Sequence, residues 1–135
     1  MDPRERAIHA NTKLVIDQLG PTSEIDFGLN RASVEWVQGF IERQRSREDF
    51  DRHNIDGLVN VLGSFLGDCL AQATGGSWKW DEEQRSWGVD VGHDGVAFPF
   101  NKVRKQFTNG LAEGDSILSF YDTMVDVLTK GKMRR

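Results

Sequence analysis

The chain has 135 residues, of which 38% are hydrophobic and 28% charged. That is a globular mixture, long enough for one domain whose core needs no metal or disulfide to fold. Lys and Arg number 17 against 21 Asp and Glu, a formal charge of −4, which argues against a dedicated duplex-DNA binder, and the single Cys69 excludes an internal disulfide framework. The first twenty residues are charged and lack the apolar run of a secretory signal. No stretch approaches the roughly 20 apolar residues of a bilayer span. The expected location is the cytoplasm.

Ile8, Leu14, Val15, Ile16 and Leu19 only partly follow a helical stripe, and Gly20-Pro21 is expected to stop this first helix. Residues 1–29 read as an N-terminal extension that packs Ile25, Phe27 and Leu29 on the body. A second helix opens at Asn30 or Ser33, both good N-caps. It buries Val34, Val37 and Ile41 and turns Trp36 away, toward Arg43 and Arg47. Either the preceding segment covers Trp36, or Trp36 and Arg43 belong to a contact surface.

The clearest helix is the third. Ile55, Leu58, Val59, Leu62, Leu66, Cys69, Leu70 and Ala73 fall at helical spacing over 55–73. Beside them runs a stripe of small residues, Asn60, Gly63, Gly67 and Ala71. A mid-helix glycine costs about 1 kcal/mol relative to alanine. Two of them one turn apart predict another backbone close along that side.

Gly75-Gly76 ends this helix, and the period changes to two. Trp78 and Trp80 share a face, as do Trp87, Val89 and Val91, and as do Val96, Phe98 and Phe100. Turns fall at DEEQR and at Gly92-His93-Asp94-Gly95. The prediction is a three-stranded antiparallel meander with its aromatics buried. Its opposite face would be small and polar, with Ser77, Lys79, Gly88, Asp90, Ala97 and Pro99. Pro99 cannot donate to a ladder, so the third strand is an edge or ends there. A short helix follows from Asn101 through Phe107, closed by Asn109-Gly110. The last helix starts near Asp115 or Ser116, is strongly amphipathic, and should pack on the sheet or on the 55–73 helix. Residues 130–135 read as a flexible basic tail. The fold class is α+β: N-terminal helices, a long central helix, the meander, and two C-terminal helices.

The search for chemistry returns no catalytic constellation. His9, His53 and His93 have no companions at metal-ligand spacing. Cys69 lies in the apolar stripe, where a thiol is inert. There is no nucleophile elbow and no phosphate-binding glycine loop. Lys102, Arg104 and Lys105 stand near Phe98 and Phe100, but the charge balance and the inward aromatics oppose a nucleic-acid role.

Two function classes follow. The first is a non-enzymatic protein-binding module, in its concrete form an immunity- or antitoxin-like protein that occludes the active site of a toxin or effector. Its contact residues would be Asp81, Glu82, Glu83 and Asp90, with Trp36 as anchor and Arg43 beside it. The alternative is a small ligand-binding or enzymatic domain with a pocket between the sheet and the 55–73 helix, lined by Trp78, Trp87 and Gly67. A third reading is a homodimer completed by apolar helix faces. Neither metal nor cofactor is expected, and neither a membrane nor nucleic acid is expected as partner.

The ordered segments SVEWVQGFIERQR, LGSFLGDCL, GGSWKW, WGVDV, FPFNKVRKQFTNG and DSILSFY resemble a bacterial domain-of-unknown-function family over roughly Phe27 to Tyr121. The resemblance implies a compact α+β bacterial domain and carries over no site residues. Many small acidic bacterial domains of this kind neutralise toxins, a class-level analogy.

Overall fold

The computed structural model describes residues 1–92 and 95–133, with side chains described up to Val127. The helices α1 (Pro3–Ser23), α2 (Arg31–Arg45) and α3 (Asp56–Thr74) precede a sheet of β1 (Ser77–Asp81), β2 (Ser86–Asp90) and β3 (Val96–Ala97). The helices α4 (Pro99–Asn109) and α5 (Ile117–Met133) follow. This is the α+β order predicted from the sequence. The backbone from residue 130 to Met133 is helical, where the sequence predicts a flexible tail.

Every residue from Leu62 to Leu70 is buried, so α3 is not a one-sided amphipathic helix but the axis of the molecule. α1, α4, α5 and the first two strands pack around it, and α2 packs on α3, α4 and α5. Ala73, expected in the buried stripe, is exposed. The small stripe does what its glycines imply. A Cβ on Gly63 would run into the Phe100 ring and come within 3.0 Å of the Phe100 Cα. One on Gly67 would run into the Trp78 indole, with Pro99 Cγ at 3.0 Å. The start of α4 is the close backbone, and Trp78 fills the rest.

α1 runs through Gly20-Pro21, contrary to the expected stop. Pro21 stands in the last turn, where a lost backbone donor matters least. Ser23 Oγ donates to Gly20 O at 2.7 Å, and Glu24 closes the helix at φ 61°. Of the connector's apolar residues only Phe27 packs inward. Its ring lies 5.8 Å from Trp36 and 5.3 Å from Phe65, while Ile25 and Leu29 are 39% and 36% exposed.

The sheet has the order β1-β2-β3, both pairs antiparallel. Trp78 pairs with Val89 and Trp80 with Trp87, which keeps these side chains on one face. The third strand departs from the predicted parity. Val89 faces Ala97, so Ala97 is buried with the core and Val96 lies on the other face. There Val96 and Phe98 close over Gly88, on the face expected to be small and polar. The turn residues Gly92 and Gly95, at φ 84° and 93°, set this register. His93 and Asp94 between them lie outside the described residues. Pro99 ends the strand and takes the first helical position of α4. Phe100 is therefore helical rather than a strand residue.

The amino end of α5 is fastened by side chains from α4, from α2 and from the residue just before it. The N–H groups of Ile117, Leu118 and Ser119 donate to Gln106 Oε1, Gln38 Oε1 and Ser116 Oγ at 3.0, 3.1 and 3.0 Å. Gln106 has no solvent exposure, and its Nε2 donates to Gln38 O and Glu42 Oε2, each at 3.1 Å. These bonds satisfy donors that a helix start leaves orphaned.

Two stability predictions follow from this packing. Gly67→Ala should destabilise by about 1–3 kcal/mol despite alanine's better helix propensity, because the indole has no room to move. Gln106→Leu should cost about 1–3 kcal/mol, since Ile117 N–H loses its buried acceptor. Urea unfolding midpoints check both, and an unchanged or raised midpoint in either variant contradicts the packing that motivates it.

Candidate functional site

The predicted contact residues fall in two places. Trp36 and Arg43 lie on α2. The Trp36 ring is half-buried, stacked on Phe40 at 5.9 Å and met edge-on by Phe27. Arg43 Cζ sits 5.0 Å from its centroid. A groove of about 510 Å³ runs past Ile25, Trp36, Gly39 and Arg43. The connector thus covers one edge of Trp36, and the arginine lies over its ring. Arg47 turns away to pair with Asp49.

The acidic residues belong to the hairpin. Asp81 pairs with Ser86 at its tip, whereas Asp90 pairs with Ser77 at its base, a separation of roughly 14 Å along a five-residue strand. Asp81 Oδ1 accepts from Gln84 N–H at 2.8 Å and Asp90 Oδ1 from Gly92 N–H at 2.9 Å. Both carboxylates hold turns. Glu82 and Glu83 are exposed. The six predicted contact residues are therefore not one surface.

What the hairpin tip does bring together is aromatic. Trp80 and Trp87 are half-buried and meet at 6.2 Å with an interplanar angle of 65°. The sequence places them in the core, and only Trp78 goes there. Arg4, in the first turn of α1, spans the pair, its Cζ 5.4 Å from the Trp80 centroid and 5.1 Å from that of Trp87. Arg4 also pairs with Asp2 at 3.3 Å, and its backbone N–H donates to the same carboxylate. No spacing in the sequence announces that contact.

Helix α1 is held in place by a buried carboxylate that the sequence reading passed over. Asp68, 7% exposed, accepts from Trp78 Nε1 at 2.8 Å and from Thr12 Oγ1 at 2.5 Å. His9 Nδ1 lies 2.9 Å from its Oδ1 and 3.0 Å from its Oδ2. The other ring nitrogen of His9 lies 3.1 Å from Glu5 Oε2. Burial disfavours the charged ring, but the bonds to Asp68 and Glu5 outweigh it, so His9 holds its proton above the usual histidine range. A charged residue in the middle of an apolar helix was the available signal, because such a group must find donors.

The alternative pocket is occupied. The Trp78 ring fills the space over Gly67, and Trp87 lies at the hairpin tip. Polar groups converge instead in a groove of about 510 Å³ between α1 and α3, where His9, Thr12, Asp68 and Gln72 meet. Asp68 and both nitrogens of His9 are already engaged there. Cys69 is fully buried, which pushes its thiol far up and keeps it protonated. Among the described residues no three His, Cys, Asp or Glu side chains are placed to hold a metal ion, and no helix is long and apolar enough to cross a membrane. In the basic cluster, Arg104 pairs with Asp56 at 2.7 Å and Lys102 lies over Phe120.

No family model, curated protein or solved structure matches the chain.

The His9 geometry fixes the sign of a pH effect. A histidine whose folded pKa is raised stabilises fully below its unfolded value, about 6.5, and the contribution disappears as pH rises through the higher folded value. The ring is 40% exposed, so screening limits the gain to about 0.5 kcal/mol. Wild-type stability should therefore decline modestly, relative to His9→Gln, as pH rises from about 6.5 through the higher folded value. Parallel stability curves for the two proteins would contradict the paired histidine.

Proposed function

We propose that the protein is a non-enzymatic binding module that receives a basic surface of a partner protein at the tip of its hairpin. The Trp80–Trp87 pair beside the exposed carboxylates of Glu82 and Glu83 carries this reading. Half-buried tryptophans serve as anchors at interfaces. Clustered carboxylates steer a cationic partner and raise its association rate more than its affinity. The concrete form is an immunity- or antitoxin-like protein of the bacterial cytoplasm that occludes a toxin's or effector's active site. The resemblance to small bacterial domains supports that form by analogy. Small-ligand binding is the second reading, favoured by the polar groove at His9, Thr12, Asp68 and Gln72.

The test exploits steering. Asp81 holds its turn, so the variant is Glu82→Lys with Glu83→Lys. Its association with the partner captured from the source cell should be about tenfold slower at low salt. The two rates should converge near 1 M salt, where the Debye length is about 3 Å. Equal rates at every ionic strength, or no partner retained by the wild type, would overturn the reading.

A further inference from the structure

We propose that the corner between Trp80 and Trp87 is a guanidinium site, that Arg4 fills it as an internal stand-in, and that an arginine of the partner takes Arg4's place. The inference rests on the hairpin-tip reading above and names what that tip recognises.

The geometry is that of a cation over aromatic faces. Two indoles at 65° form the walls, and a guanidinium carbon lies 5.1 and 5.4 Å from their centroids, inside the roughly 6 Å range of this attraction. A guanidinium is planar and weakly hydrated, so it gives up water for a ring face more readily than an ammonium does. The site already contains the chemistry it is proposed to bind.

Arg4 is loosely kept. Its side chain is 59% exposed, and among the described residues it is ion-paired with Asp2, itself 39% exposed. Exposed pairs of this kind contribute little. The contacts that dock α1 lie further along the helix, at Ile8, His9, Thr12 and Val15. The first turn can therefore give way while the rest of α1 stays seated. Its departure would leave the Asp2 carboxylate without its guanidinium partner, and the loop that follows Trp80 carries the exposed Glu82 and Glu83. The surroundings then favour an incoming cation. Arg85, also exposed, is the one basic residue of the loop between the two strands.

The experiment follows the indole N–H resonances of the full-length protein during titration with a nine-residue Arg-Gly peptide. A Lys-Gly peptide of equal charge is the comparator. The arginine peptide should shift the Trp80 and Trp87 signals and leave Trp78, which is bonded to Asp68, in place. It should bind several-fold more tightly than the lysine peptide. Arg4→Gln should tighten binding by about tenfold, the share that a competitor present about nine-tenths of the time withholds. Trp80→Leu should abolish the response, with the Trp78 signal reporting that the fold is kept.

Equal affinity for the two peptides, or no response in both wild type and Arg4→Gln, overturns the guanidinium site. Binding that Arg4→Gln fails to tighten overturns the stand-in. Each of these results leaves the salt-dependent steering experiment free to support the hairpin-tip reading, so the two claims fail separately. Displacement by a single-stranded RNA with equal shifts would also overturn the proposal, because stacked bases would then be the occupant.

Discussion

A carboxylate in the most buried stretch of a helix must find donors, and Asp68 finds three: His9 and Thr12 from α1 and Trp78 from β1. Left alone, such a charge would cost several kcal/mol in lost hydration. Satisfied, it obliges α1 and the sheet to meet on the same side of α3. Its neighbour Gly67 completes the requirement, since only a residue without a Cβ lets the Trp78 ring lie against α3 while its Nε1 reaches the carboxylate. The hairpin register then places Trp80 and Trp87 beyond Trp78 on the same face. α1, pinned by His9 and Thr12, carries Arg4 over them. The surface feature thus descends from a buried one.

Much of the fold was legible because it depends on local spacing. The 55–73 stripe, the alternation around Trp78 and Trp87, and the caps at Asn30 and Ser116 need only neighbours in sequence to be read. The errors share a different cause. Gly20-Pro21 looked like a stop, but the missing donor falls in a last turn that Ser23 closes through Gly20 O. Val96, Phe98 and Phe100 looked like part of the buried face, but the parity puts Val96 and Phe98 on the opposite one and Pro99 converts the end of the run into a helix. The site was the least legible part. His9 and Asp68 are 59 residues apart, and no periodicity links them. The four-residue spacing of Glu5 and His9 and the charge of Asp68 inside the α3 stripe are each visible in the sequence, but nothing local joins them.

The two tryptophan surfaces differ in how their aromatic faces are used. Trp36 stacks on Phe40, meets Phe27 and receives Arg43 from its own helix, about two turns away. A cation supplied at that range by a well-formed helix is a local cover, replaced only at the expense of neighbouring packing. Trp80 and Trp87 receive theirs from the first turn of a different helix. Contacts across elements depend on both elements keeping their positions. The first turn of a helix has the fewest backbone bonds to keep it in place.

That difference sets which surface yields more readily to a partner. Withdrawing Arg4 breaks a solvated ion pair and two ring contacts, and the cap at Asp2 can persist through the Arg4 backbone N–H. Withdrawing Arg43 would open the groove that Ile25 and Gly39 line, where the one carboxylate of the lining, Glu35, is already paired with Arg31. A net charge of −4 favours cationic partners everywhere on the surface, so total charge cannot choose between the sites. The choice lies in the arrangement: at the hairpin tip the aromatic corner takes its arginine from another element and stands next to the loop of the exposed Glu82 and Glu83, whereas on α2 the arginine over the ring belongs to the same helix.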